Sequence, residues 1–396
     1  MSQIFEPFSA DLTAVTMGID AFERKQTRGS GLLDDEGLVP IYLGADLIAA
    51  RNYRRWDEIE ADLASLNEAA AGVAAGPRRV FVHALLRSLA AAVRLFSGGN
   101  LSYAEKVVEL VGAPAGPVPA EEIAAAHAAL DELLARVGFV RGTLTQRIVA
   151  WEADRALPAS ELSATFTALM QEGKARTAAR IFDTGDFTMA LNPVRDVPYT
   201  ARCGFDRRRM DLNVDLAFTR AAIKHLVAHE VYPGHATQLL LTRARVLAGA
   251  AYPETLLCTA NTVLGCVQEG IADEGVALID WFEDDDDHIH HELRRLRSAA
   301  QTSAAWYLMV EGRPPEAVAG YLRETAAGQE AWVQGRLRMA AHPFRGPFIA
   351  SYWAGARSVR RVFERLTPND YPRFVEYLYG SAHSPESLEL FTAEAA

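Results

Sequence analysis

The chain is poor in cysteine, has no basic excess and contains no long apolar run. Its three cysteines among 396 residues, Cys203, Cys258 and Cys266, are an odd number at spacings that match neither a zinc knuckle nor a redox pair. A disulfide framework is therefore not expected, and all three read as small buried hydrophobes. The 40 lysines and arginines are outnumbered by 51 aspartates and glutamates, leaving a net charge of -11. A general grip on nucleic acid or on an anionic membrane needs a basic surface, so both drop out as partners. Nowhere do about eighteen apolar residues run on without a charge or turn signal. The opening MSQIFEPFSADLTAVTMGIDAFERKQTRGS has no basic segment ahead of an apolar one, so a cytoplasmic location is expected.

What is present is core-forming material: 49% of the residues are hydrophobic, enough for a sizeable interior. From about residue 45 to 180, stretches such as VFVHALLRSLAAAVRLF and AAAHAALDELLARVGFV place apolar residues at helical spacing among good helix formers. SGGN (97–100) and GAPAGPVPAEE (112–122) punctuate them, the second ending in residues that suit a first helical turn. Between 183 and 215 turn residues recur every few positions and short runs such as RMDLNVDL partly alternate, which predicts a small strand region. Helical text then returns to the end, broken at EDDDD, GRPP, HPFRGP and TPNDYP. The expected fold is mainly α with a small β-sheet, arranged as an N-terminal helical lobe (1–182) and a catalytic half (183–396) around a cleft.

The stretch AHEVYPGHATQ (228–238) opens like the helix of a zinc protease, yet proline stands where the second histidine of H-E-x-x-H belongs. The apolar positions Ala222, Ile223, Leu226 and Val227, continued by three or four residues, land on His229 and Glu230. A buried carboxylate must be neutralised, paired or set beside a metal site. On an unbroken helix, His229 and His235 differ by six steps of about 100° and cannot share a face. Pro233 breaks the helical bonding and Gly234 accepts backbone angles other residues resist, so His235 can be re-aimed. Two alternatives stand beside this: Pro-Gly ends the helix and His235 opens the next, or His225 and His229, four apart, form the pair. For a third ligand, NTVLGCVQEGIADEGVALI (261–279) offers Glu269 on the side marked by Val263, Cys266 and Val267. Gly265 and Gly270 permit close helix approach, and Asp273, one turn on, reads either as a partner orienting a histidine ligand or as a surface acid.

Together HEVYPGHATQ, QEGIADEG and ASYWAGARS resemble the bacterial family known as domain of unknown function 885, zinc-peptidase-like relatives of the gluzincins. The resemblance covers most of the chain and implies a gluzincin-like helical fold. It implies His229, His235 and Glu269 as ligands of one zinc ion, a set that iron or manganese also accepts, and Glu230 as general base. It implies Tyr352 as the donor to an oxyanion and Gln238 as a residue behind the ligands. The chain departs from the family at Ala236, where many members have a second histidine, and at Ile271, where many have tryptophan after E-G. An aspartate-threonine-glycine-leucine-histidine segment of longer members is not recognisable in SAAWYLMVEGRPPEAV. These differences bear on substrate choice.

The expected function is a zinc-dependent hydrolase acting on an amide or peptide bond of a small peptide or amino-acid conjugate. The same ligands also suit a lyase, cyclase or oxidative enzyme using zinc or iron, and a non-catalytic ligand-binding relative is the third reading. Arg357, one turn beyond Tyr352, reads as part of a basic surface ion-pair face with Arg361 and Arg365 or, turned inward, as a substrate contact, for which His342 is a further candidate. The run EDDDDHIHHE (283–292) reads as a solvated acidic loop leading into a helix.

Overall fold

A computed structural model describes residues 5–26, 37–197 and 200–392; parts of the N-terminal segment read for a leader lie outside them. Fourteen helices of ten residues or more are described. The first three are α1 (Pro7–Lys25), α2 (Trp56–Ala69) and α3 (Pro77–Phe96). Next come α4 (Ala120–Arg136), α5 (Leu144–Asp154), α6 (Leu162–Arg180) and α7 (Arg220–Glu230). They are followed by α8 (His235–Leu247), α9 (Val263–Asp273), α10 (Asp285–Met309) and α11 (Pro315–Ala326). The last are α12 (Glu330–Ala340), α13 (Ile349–Phe363) and α14 (Tyr371–Gly380). The fold is mainly α, as expected. Helix starts follow local chemistry: α4 carries Glu121 and Glu122 in its first turn, and α5 opens on a reciprocal Thr143–Gln146 capping box. The short strands β1 (Ile41–Tyr42), β2 (Ala190–Val194), β3 (Ala201–Gly204), β4 (Arg209–Asn213) and β5 (Leu257–Cys258) form two small sheets. The pair β1–β5 has no counterpart in the sequence reading, because two-residue strands carry no periodicity. Among the described residues, no helix is long and apolar enough to cross a membrane.

The chain groups into two units, each assembled from separated segments; residue 182 falls inside the second. One unit comprises 1–116, 238–270 and 339–396. Within it α9 and α13 cross in backbone contact. A Cβ added to Gly270 would lie 2.2 Å from the Gly355 carbonyl carbon, and one added to Gly355 would lie 1.9 Å from the Cys266 oxygen. Gly270 of QEGIADEG and Gly355 of ASYWAGARS thus meet at one helix crossing.

The other unit comprises 117–237 and 271–338. Its core runs along α10, where Ile289, Leu293 and Leu296 pack with Leu130, Leu134 and Trp151 of α4 and α5. The three-stranded sheet has the order β2-β4-β3, with β2 parallel and β3 antiparallel to β4, in the region read as strands. The acidic run does not form the expected solvated loop. Asp284 caps α10 by accepting the Asp287 N–H at 3.0 Å, and Asp286 accepts from Trp151 Nε1 at 2.7 Å and Arg155 Nε at 2.8 Å. Asp287 is bonded to the buried Lys224 of α7, whose Nζ also stands 2.6 Å from Glu283. The acids are held because a helix N-terminus and a buried ammonium both attract negative charge. Lys224→Met should therefore destabilise the protein by about 3–5 kcal/mol, leaving Asp287 buried without its cation. A urea midpoint equal to that of the parent would refute this anchoring role.

Candidate metal centre

Helix α7 starts where the Thr219 side chain accepts the Ala222 N–H, and it is buried on most sides rather than along one stripe. Ile223 and Val227 are buried as expected, whereas Ala222, Leu226 and Glu230, spaced four apart, form its more open edge. This corrects the stripe drawn from the sequence. A helix enclosed by neighbours on several sides has no single apolar face to mark. His229 consequently points into the interior and Glu230 toward the accessible side.

After Glu230 the helix stops. Pro233 has no N–H to offer the His229 carbonyl four residues back, and the Gly234 N–H donates instead to the Ala228 oxygen at 2.8 Å. The turn is closed by Thr237, whose N–H and hydroxyl both donate to the Val231 oxygen at 3.2 and 2.7 Å. A Cβ on Gly234 would lie 1.7 Å from the His229 oxygen, so only glycine fits. His235 opens α8, and its ring stands 4.9 Å from that of His229, nearly perpendicular to it. The Pro-Gly break therefore does both things considered: it starts a new helix and turns His235 back.

His229 Nδ1 donates to Asp273 Oδ1 at 3.0 Å. A carboxylate bonded to one ring nitrogen fixes the tautomer and orientation of an imidazole, the arrangement usual behind a histidine ligand. Glu269 sits one turn before Asp273 on α9, hence on the same face. One ligand atom from each of His229, His235 and Glu269 lies within 4.8 Å of the others. His225, His229 and Asp273 form a second cluster by the same measure, so the rival pair is also realised. His225 Nε2 stands 3.5 Å from Asp273 Oδ1 and Arg294 Nη2 3.1 Å from it. Burial raises the Asp273 carboxyl, but Arg294 and the bonds from both histidines outweigh it and hold it well below the carboxylate range. Burial, with Arg294 adding to it, takes the His225 imidazole down to about 4. His225 is thus neutral, and its ring lies 5.5 Å from that of His290.

The remaining candidates occupy distinct places. Gln238 donates to the Gln268 carbonyl at 3.2 Å, tying α8 to the backbone beside Glu269. Tyr352 lies in the first turn of α13, half-buried, with its ring 5.7 Å from that of Phe348. It precedes by three residues the glycine that meets Gly270. Arg357 places its guanidinium 5.3 Å from the centre of the Trp353 ring. His342 Nδ1 accepts the N–H groups of Phe344 and Arg345 at 3.2 and 3.0 Å, which makes it part of the turn before α13.

Two residues were not legible in the sequence. Cys203 of β3 is only half-buried, and its thiol stands near the Glu230 carboxylate; burial and then the charge of that carboxylate hold the thiol well above its ordinary range. The reading of Cys203 as a plain buried hydrophobe is corrected accordingly, since a strand distant in sequence brings it to α7. Cys258 is also half-buried, and none of the three cysteines is in a disulfide. Arg294 is the other, and nothing in its helical surroundings distinguishes it from its neighbours Arg295 and Arg297.

No family model and no curated protein matches the chain. Solved structures do. A provisionally named lipoprotein from Colwellia psychrerythraea superposes with a TM-score of 0.59 at 17% identity, covering 93% of this chain and 68% of that one. Another provisionally named lipoprotein, of unknown function, from Shewanella oneidensis gives 0.52 at 14% identity, covering 96% and 72%. At such identities the likeness is one of fold.

Proposed function

We propose that the chain is a metal-dependent hydrolase that cleaves an amide or peptide bond of a small peptide or amino-acid conjugate. The observation that carries this reading is the Pro-Gly turn, which brings His235 back against His229 while Asp273 orients His229 from behind. Two imidazoles and a carboxylate within 4.8 Å are a donor set suited to zinc, of the three-ligand kind that catalytic zinc uses. A divalent ion held by His229, His235 and Glu269 would supply Lewis acidity, polarising a carbonyl and making water a nucleophile at neutral pH.

The residues around the set take the remaining roles. Glu230, on the open edge of α7 and adjacent in sequence to His229, accepts a proton from water and returns it to the leaving amine. The Cys203 thiol near that carboxylate stays protonated, held so by burial and by the charge of Glu230. Tyr352, on the helix that crosses α9 beside Glu269, donates its phenolic hydrogen to the oxygen that gains charge.

Protein purified without chelator or added metal should contain close to one equivalent of zinc by elemental analysis. His235→Ala should lose most of it. Zinc content untouched by that substitution would transfer the site to the His225–His229–Asp273 cluster, and absence of metal would end the hydrolase reading. The same donor set underlies a second reading, a redox step on iron. Iron in place of zinc, with oxygen consumed during turnover, would select it.

A further inference from the structure

We propose that Arg294 is a resident cation that holds the His225–His229–Asp273 cluster as a support for His229 and keeps it from being a second metal site. This inference rests on the proposed metal centre. The cluster has the donor types of a metal site and its three residues are buried. Yet Asp273 Oδ1, the carboxylate oxygen that meets both histidines, is already approached by three donors: His229 Nδ1 at 3.0 Å, Arg294 Nη2 at 3.1 Å and His225 Nε2 at 3.5 Å.

A guanidinium keeps its charge at every accessible pH. A divalent ion bound at that oxygen would stand within a few ångströms of it and be repelled. What the cluster can do is fix the carboxylate. Arg294 comes from α10, one turn beyond His290, whose ring backs His225. Helix α10 thereby supports both groups that meet the inner side of α7. With Asp273 pinned, His229 keeps its proton on Nδ1 and presents Nε2 in one orientation. Arg294 is then a positioning residue separated from the metal by two residues, Asp273 and His229.

The test uses the full chain and Zn2+ itself, with affinity measured by competition against a chromophoric chelator and geometry by the visible spectrum of the Co2+ form. The parent should bind one equivalent. Arg294→Met should weaken Zn2+ binding by roughly tenfold or more and shift the Co2+ bands, while Arg294→Lys recovers most of both. In an Asp273→Asn background the Arg294→Met change should add little, because the residue through which it acts is already neutral. Arg294 is about a third exposed, and thermal melts of each variant separate loss of fold from loss of positioning. Three results would each overturn the inference while leaving the metal centre standing: a parent that binds two equivalents, an Arg294→Met variant indistinguishable from the parent, or an undiminished cost of Arg294→Met in the Asp273→Asn background. A parent that binds no metal would remove the centre itself, and the inference with it.

Discussion

Glu230→Gln should lower turnover by roughly a hundred- to ten-thousand-fold while leaving bound metal unchanged. Glutamine keeps the size and hydrogen-bonding reach of glutamate but cannot accept a proton at neutral pH. Glu230 is not in the ligand set, so metal content should stay near that of the parent. The measurement is initial rate on whichever short peptide or N-acyl amino acid the parent cleaves, paired with elemental analysis of the same preparation. A variant that hydrolyses at the parental rate would remove Glu230 from the chemistry. If ligand binding by the parent persists in the variant and neither protein turns over any amide, the chain is a binding protein built on a metalloenzyme scaffold.

Gly234→Ala should be the most damaging single methyl group in the metal region. Its Cβ would be placed 1.7 Å from the His229 oxygen, 2.4 Å from the carbon of that carbonyl and 2.5 Å from the Ala228 oxygen. All three are backbone atoms of the helix that carries His229, so no side-chain rotation relieves the overlap. The turn must open, and His235 moves away from His229. A loss of about 3 kcal/mol in stability is expected, together with loss of most of the metal. Gly320→Ala is the control, because an added Cβ there meets nothing within 4 Å and helix propensity favours alanine. Parental metal content in Gly234→Ala would show that the close approach of the two rings does not need this turn.

Helix positions were readable wherever a periodic run met clear punctuation. The break at GAPAGPVPAEE ends where α4 begins, and GRPP and TPNDYP separate α10 from α11 and α13 from α14. Buried helices were harder. In α7 the expected stripe misplaced Ala222 and Leu226, because packing on several sides leaves no amphipathic signal. The acidic run misled for a related reason: its charges looked solvated in isolation, but their counterion, Lys224, comes from a helix some sixty residues earlier.

The sequence by itself determined the local events: that the helix must fail at Pro233, that Gly234 gives the chain freedom to turn there, and that His229, Glu230, His235 and Glu269 are the residue types a metal site and its base require. These follow from backbone chemistry and ligand preference, which act within a few residues. Tertiary structure alone decided which groups meet across the chain. It set the Cys203 thiol near Glu230, crossed Gly270 with Gly355, and gave Asp273 both of its histidines and its arginine. Such pairings depend on how separate helices and a strand pack against one another. No periodicity along a single element records the charge that another element will bring to it.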